Sequence, residues 1–248
     1  VRTYKLSATP SVNSLVLFIA YLSRRLRSID KVLSALAFHF KPLMSTWEKV
    51  RTHPRVLLAL RGSLKLTAVP IKRSPPLLPS HLVSFATSTL ASPSPSHDDI
   101  LALAIAVIGF GALLRLGEMV EPSHLDDRDP RKYIKRTSAH LVELKEFHFH
   151  LPYHKADRSW RGSDVVIVAE NSPPAFNLLG VVALYLRSRD RLHPSNPYLF
   201  IRADGSLPPR SWFVDRLRLH APLVSGHGLR AGGATYLASI GTSASFIK

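Results

Sequence analysis

The sequence predicts a mainly α-helical protein with one small antiparallel β-sheet, arranged as two domains. Three observations support this fold class. Most of the chain has apolar residues three and four positions apart, which is the spacing of an amphipathic helix. Three short segments between residues 140 and 169 are rich in β-branched and aromatic residues with alternating character, which predicts strands. A proline-rich stretch from Leu66 to Ser80 has no periodicity and separates two helical regions.

Residues 1–73 predict a small helical domain with a basic surface. One helix is expected to begin after Pro10, a second to end before Pro42 and a third to cover residues 54–64. Two interpretations of the basic residues stay open: a DNA-binding surface, or ordinary solvated helix faces. The candidate DNA-binding residues are Arg24, Arg25, Arg27, Arg51, Arg61, Lys72 and Arg73.

The second domain is predicted to cover residues 74–248. A short helix is expected from Ser80 to Leu90, and a buried helix begins near His97, because the segment Ile100 to Leu114 contains no charged residue. A membrane-spanning helix needs about 20 apolar residues, so this shorter segment predicts a core helix instead. The GFG within it lies inside a helix and does not match a dinucleotide-binding or phosphate-binding loop.

The second half of this domain predicts the sheet and three more helices. The expected strands are 140–144, 146–153 and 163–169, and the expected helices are 174–189, 208–220 and 226–240. A strand-like YLFI occupies residues 198–201. The turn HKADRSWRGS between the last two strands places Lys155 in an exposed loop.

Charge composition indicates the partner. Lys and Arg total 33 against 17 acidic residues, a formal net charge of +16 on 248 residues. Such a chain attracts polyanions over a Debye length, so double-stranded DNA is the leading expectation; an acidic membrane surface and a merely solubilising charge are less favoured. The absence of cysteine excludes disulfides and thiolate chemistry and fits an intracellular protein, in the nucleus if the source is eukaryotic.

Two other groups of residues have side chains capable of chemistry. The acidic residues Asp126, Asp127 and Asp129 lie in a loop with arginines and predict solvated loop charges. His148 and His150 share one strand face, but no acidic or cysteine partner in the sequence completes a metal site there. No metal and no cofactor are therefore expected.

Four cationic residues form a chemically coherent set: Arg115, Lys155, His227 and Arg230. Two guanidinium groups can bind the non-bridging oxygens of a phosphodiester, a histidine can move a proton, and a lysine can protonate a departing oxygen. Each residue taken alone is better explained as a helix-end charge, an ordinary first-turn residue or a solvated lysine. Their combination with the net charge favours phosphoryl chemistry on DNA.

Three motifs carry a family resemblance. GALLRLGEM resembles the first arginine box of the tyrosine recombinases, the phage-integrase superfamily, and places Arg115 and Glu118 in it. LPYHKADRSWRG resembles the hairpin that carries the family's lysine, here Lys155, and HGLRAGGATYLASIG resembles the His-x-x-Arg box, here His227 and Arg230. Their order and spacing agree with the family in the form found in eukaryotic mobile elements.

The resemblance implies both fold and reaction. Residues 1–73 would be the helical, SAM-like core-binding domain and residues 74–248 the catalytic domain, acting on DNA as a synaptic tetramer without metal or ATP. A tyrosine would attack the scissile phosphate to give a 3′-phosphotyrosyl link, with integration or recombination as the outcome. Arg115 and Arg230 would neutralise the transition state, His227 would assist proton transfer, Lys155 would act as general acid, and Glu118 would orient a neighbour.

The sequence departs from the family at two places. Ala231 stands where many relatives have a basic residue, and the chain stops at Lys248 before the position of the nucleophilic tyrosine, which predicts a truncated catalytic domain. Tyr236 lies six residues after Arg230 in the same helix and is predicted to be a core residue. Two alternatives stay open: a truncated or domesticated DNA-binding remnant without catalysis, and, less favoured, a type IB topoisomerase.

Overall fold

A computed structural model of the chain describes residues 9–68, 74–154, 159–174 and 176–245. The chain divides into two compact units, Val1–Lys72 and Arg73–Lys248. Lys72, Arg73 and Lys155 lie outside the described residues, so their predicted roles stay predictions.

Unit 1 is a cluster of four helices around a small apolar core. The helices are α1 (Val12–Ser23), α2 (Ile29–Phe40), α3 (Trp47–Arg51) and α4 (Pro54–Leu66). Ser11 caps α1 by accepting a hydrogen bond from the N–H of Ser14, and Pro54 opens α4. The core is built from Leu15, Ile19, Leu22, Ile29, Leu33, Ala37, Trp47 and Val56. Helix α3 was not predicted individually, because five residues are too few to show periodicity.

Unit 2 is organised around one buried helix, α6 (His97–Gly111). Ser96 caps it by accepting from the N–H of Asp99, and every residue from Ile100 to Phe110 is buried. The helices that pack on it are α5 (Pro79–Leu90), α7 (Leu178–Leu192), α8 (Arg210–His220) and α9 (Gly228–Ser239). No helix among the described residues is long and apolar enough to span a membrane.

A three-stranded antiparallel sheet completes unit 2, in the order β1 (His140–Val142), β2 (Glu146–Leu151) and β3 (Ser163–Val168). Phe147, Phe149 and Leu151 point into the core, as the alternating pattern predicts. The predicted fold class, mainly α with one small antiparallel sheet, is therefore confirmed.

Most predicted element ends lie within a few residues of the structure, and two differences have a clear physical reason. Helix α7 begins at Leu178 rather than at 174, because the Asn177 side chain accepts from the N–H of Gly180 and so caps the helix there. The YLFI segment forms no strand: Tyr198 makes a single bridge with Lys135, while the next three residues are buried outside any strand. Burial explains its apolar character without a sheet partner.

Candidate functional site

Arg115 is positioned by an unusual helix end. Helix α6 closes with a Schellman-type bond from the N–H of Leu114 to the carbonyl of Gly109 (3.0 Å), and Leu113 adopts the left-handed region with φ 54°. The chain turns sharply there, so Arg115 starts a short 3₁₀ helix, Leu116–Glu118, instead of continuing α6.

Glu118 holds Arg115 at two atoms. Its carboxylate accepts the backbone N–H of Arg115 at 2.8 Å and a guanidinium Nη1–H at 3.2 Å. The Glu118 side chain is 9% exposed, whereas that of Arg115 is 35% exposed. The remaining guanidinium N–H groups have no hydrogen-bond partner within the described part of the chain, and they can donate to an anion.

His227 and Arg230 lie at the start of α9. His227 is exposed at the N-cap position and its ring makes no capping bond, while Arg230 is half-buried in the first turn. Neither side chain has a hydrogen bond or ion pair with any residue that the structure describes. Positions three apart lie on one helix face, and the positive end of the helix dipole adds to the attraction for an anion.

The packing of α9 brings these residues near Arg115. A Cβ placed on Gly226 would come within 2.5 Å of Cδ2 of Leu116, so the residue before His227 touches the residue after Arg115. Farther along, a Cβ on Gly233 would overlap the carbonyl of Phe110 in α6. The segments carrying Arg115, His227 and Arg230 are therefore direct neighbours.

A large open cavity of about 1040 Å³ extends from Arg115 towards the base of the β2–β3 hairpin. Arg115 and Glu118 line it, together with Arg128, Arg131, Lys132, Tyr153 and His154 and the acidic residues Asp126, Asp127 and Asp129.

Two arginines of this cavity already bind carboxylates. Arg131 donates two hydrogen bonds of 2.9 Å to Asp129, and this hydrogen bonding lowers the pKa of the Asp129 carboxyl. Arg128 pairs with Glu121 at 3.1 Å. Arg115 keeps the most unused donors of the three arginines, because Glu118 takes only one guanidinium N–H.

An aromatic and cationic cluster next to this cavity was missed from the sequence. The rings of Tyr153 and Trp160 lie 4.6 Å apart, the Arg131 guanidinium lies 4.6 Å from the Trp160 ring centre, and Lys132 lies 5.1 Å from that of Tyr153. Trp160 has φ 55°, a costly conformation for a bulky residue. The available signal was one aromatic residue directly before the predicted hairpin turn and a second within it.

The predicted DNA-binding residues that the structure describes in unit 1 lie in more than one place. Arg24, Arg25 and Arg27 line a groove with residues 66–68 at the end of α4, and all three are exposed. Arg51 precedes the start of α4, so about 20 Å of helix separates it from that groove. Arg61 is exposed within α4.

The histidines of β2 have acidic neighbours that the sequence did not reveal. Nε2 of His148 lies 2.7 Å from Glu146, and Nδ1 of His150 lies 2.8 Å from Asp164 on β3. Strand register causes the second contact, since His150 and Asp164 are cross-strand partners. Each of the two histidines thus has one acidic neighbour, and no group of three potential metal ligands occurs among the described residues.

Tyr236 packs in the core of unit 2. Its ring lies 5.7 Å from that of Phe110, and its hydroxyl donates to the carbonyl of Ser172 at 3.1 Å. These contacts hold the side chain in place and account for it without a catalytic role.

Comparison with known proteins gives a structural likeness only. No protein-family model and no curated protein sequence matches the chain. It is similar to the XerH site-specific recombinase bound to difH substrate in a pre-cleavage complex, with a TM-score of 0.52 and 15% identity over 96% of this chain and 63% of that one. A post-cleavage complex of XerH on palindromic difH gives a TM-score of 0.49 and 16% identity, over 95% and 70% of the two chains.

The chain thus spans less than two thirds of the length of the recombinase in the pre-cleavage complex. Its helices and small sheet nevertheless follow the same architecture over nearly the whole of unit 1 and unit 2. The chain has the fold of a site-specific recombinase, which is the fold that its three sequence motifs predict.

Proposed function

We propose that this protein binds double-stranded DNA and engages one phosphodiester with Arg115, His227 and Arg230, as a tyrosine-recombinase-like protein. The observation that carries the proposal is the contact of Leu116 with Gly226, which makes neighbours of two motifs more than 100 residues apart. The fold shared with a DNA-bound site-specific recombinase and the net charge of +16 support it.

The proposed roles follow from the hydrogen-bond donors and the charges of the four side chains. Arg115, whose backbone and guanidinium are held by Glu118, and Arg230 would neutralise the charge that develops on the non-bridging oxygens. His227 would assist proton transfer and Lys155 would protonate the departing 5′-oxygen. When a tyrosine oxygen bonds to phosphorus and the bond to the 5′-oxygen breaks, the phosphotyrosyl link conserves the energy needed for rejoining.

The family resemblance adds finer proposals. Unit 1 would act as the core-binding domain, active complexes would be tetramers of this chain on DNA, and the protein would belong to a mobile element acting in a nucleus. In the family the attacking tyrosine follows the His-x-x-Arg helix, which corresponds to α9 here. Of the described tyrosines, Tyr153 lines the Arg115 cavity and so belongs in any test of the nucleophile.

A second candidate function is DNA binding without cleavage. Two observations favour it: the hydroxyl of Tyr236 is used in the core, and unit 1 carries a dense positive charge independent of the candidate site. Such a protein would bind DNA through Arg24, Arg25 and Arg27 and would not cleave a phosphodiester.

A nicked duplex separates the two functions. The preferred site is first selected from random duplexes, and a nick is then placed close to the scissile position so that the short 5′-hydroxyl strand diffuses away after attack. Strand cleavage by this chain predicts a covalent protein–DNA adduct on a denaturing gel, and Tyr153→Phe and Tyr236→Phe then test whether either hydroxyl forms the link to DNA. Specific binding without an adduct supports the DNA-binding alternative, and the loss of all binding at moderate salt contradicts both.

A further inference from the structure

The segment Ser74–Leu78, called the strap below, lies across α9 at the start of unit 2. Ser74 Oγ accepts the backbone N–H of Ser225 at 2.8 Å and donates to the carbonyl of Leu223 at 3.1 Å. Leu77 is buried, and its N–H donates to the carbonyl of Gly228 at 2.9 Å. The strap is therefore bonded to the residues on both sides of His227.

Two glycines of α9 make room for the strap. A Cβ on Gly232 would overlap the carbonyl of Leu77, and a Cβ on Gly228 would lie 3.0 Å from the carbonyl of Pro75. Residues four apart lie on one helix face, so Gly228 and Gly232 form a continuous side-chain-free track under the strap. Backbone is less able to yield than a flexible side chain, and any larger residue at 232 must displace one of the two elements.

The other two faces of α9 have different surroundings. Gly233 lies against the carbonyl of Phe110 on α6. At about 100° per residue, the strap face, the Gly233 face and the face carrying His227 and Arg230 lie roughly a third of a turn apart. The helix is thus held on two sides by backbone, and the third side presents the two candidate phosphate-binding residues.

We propose that the strap is a positioning element for His227 and Arg230, and that Ser74 is a positioning residue. The inference rests on the proposed function for its catalytic consequence, while its geometric part concerns this chain alone. Rotation or sliding of α9 is opposed by the strap on one side and α6 on the other. A displacement of about 1 Å at a reacting group costs on the order of 100-fold in rate, so small shifts of α9 matter.

Two variants disturb the strap in different ways. Ser74→Ala removes both side-chain hydrogen bonds to the 223–225 segment and adds no bulk. Gly232→Ala adds one methyl group where the Leu77 carbonyl lies. Ser74→Thr keeps the hydroxyl and serves as the conservative rescue.

Two control variants separate positioning from stability. Gly62→Ala adds the same methyl group to α4 of unit 1, where no atom lies within 4 Å of the new carbon. Val182→Ala removes buried volume from α7 in unit 2, where Val182 is fully buried, and is expected to lower the melting temperature through a helix that carries neither the strap nor His227 and Arg230.

The first measurement uses the full chain without DNA. The imidazole NMR signals of His227 are expected to shift in Ser74→Ala and Gly232→Ala, to return in Ser74→Thr, and to stay at the parental position in both controls. The second measurement is the yield of covalent adduct on the nicked duplex, expected to fall about 10- to 100-fold in Ser74→Ala and Gly232→Ala with DNA affinity changed less than about twofold.

Parental His227 signals in both strap variants, or an equal shift in Val182→Ala, would overturn the inference, because the strap would then be only structural. The NMR result does not depend on cleavage. A shifted His227 in a chain whose parent forms no adduct therefore supports the positioning role and counts against the proposed recombinase function alone.

Discussion

The two units carry very different charge. Residues 1–72 contain 13 Lys and Arg against 2 acidic residues, whereas residues 73–248 contain 20 against 15. Less than a third of the chain thus holds +11 of the net +16. Among the described residues, one of the ten Lys and Arg in unit 1 has an ion pair, Lys41 with Glu48, compared with nine of the sixteen in unit 2.

This difference shows two ways of using cations. In unit 1 the charges are exposed and numerous, so their effect on a polyanion is cumulative and screened by salt. In unit 2 most of the described Lys and Arg side chains form ion pairs with nearby carboxylates. A few, such as Arg115, keep N–H groups free to donate hydrogen bonds at defined positions. Single substitutions should therefore have graded effects in unit 1 and large, position-dependent effects in unit 2.

The largest expected effect comes from Arg230→Ala. If Arg230 stabilises the transition state, adduct formation on the nicked duplex should fall by about 100-fold or more, because a charge-stabilising donor is lost. Arg218→Ala is the matched control, since Arg218 is an exposed arginine in the same unit, 3.7 Å from Asp215. Equal adduct yields from the two variants would show that Arg230 contributes no more than an exposed arginine outside the candidate site.

A smaller effect is expected from the triple variant Arg24→Gln, Arg25→Gln, Arg27→Gln. Each lost phosphate contact lowers the slope of log affinity against log salt by about 0.9, so the slope should fall by roughly 2 to 3. Fluorescence anisotropy with a labelled duplex at several salt concentrations measures it. Arg51→Gln, at the other end of α4, should change the slope by about 1 at most, and a triple variant with the parental slope would contradict a DNA-binding role for the groove.

The smallest expected effect concerns stability and involves no DNA. Burial against the ring of Phe85, whose centre lies 4.3 Å away, lowers the pKa of His220 below its ordinary value of 6.5. The unfolded chain therefore takes up a proton first as the pH falls. His220 therefore contributes fully to the stability of the fold above about pH 6.5. This contribution is lost as the pH falls through the folded-state pKa of His220, and the loss is less than about 1 kcal/mol after solvent screening.

Urea unfolding at pH 7.5 and pH 5.5 tests this difference. His220→Gln should reduce the loss of stability in unit 2 between the two pH values and leave unit 1 unchanged. An identical pH dependence in the parent and the variant would show that the ring is protonated in the folded state as readily as in the unfolded one.

Much of the fold could be predicted from the sequence, because local signals and packing agree. The uncharged run after Asp99 correctly predicted α6, and the alternating EFHFHL correctly predicted β2. The end of α6 could not be predicted, since a leucine in the left-handed region contradicts its own preference and depends on packing against Gly233.

The candidate site was predicted less completely. Residue type and spacing indicate Arg115, His227 and Arg230, but their proximity depends on the contact of Leu116 with Gly226, which only the folded chain shows. The acidic partners of His148 and His150 depend on strand register and contacts within the sheet face. The reason for glycine at positions 232 and 233 also depends on the folded chain, because the backbone of Leu77 lies against one of them and the backbone of Phe110 against the other.

The burial of α6 has a consequence for how the protein forms. Its covering helices come from both sides of the sequence, with α5 before it and α7, α8 and α9 up to more than 100 residues after it. Contacts at such sequence separation carry a large loop-closure cost before they contribute any stability. During synthesis this helix of about four turns therefore stays incompletely covered until α9 has been made, and its apolar surface can associate with other chains in that interval.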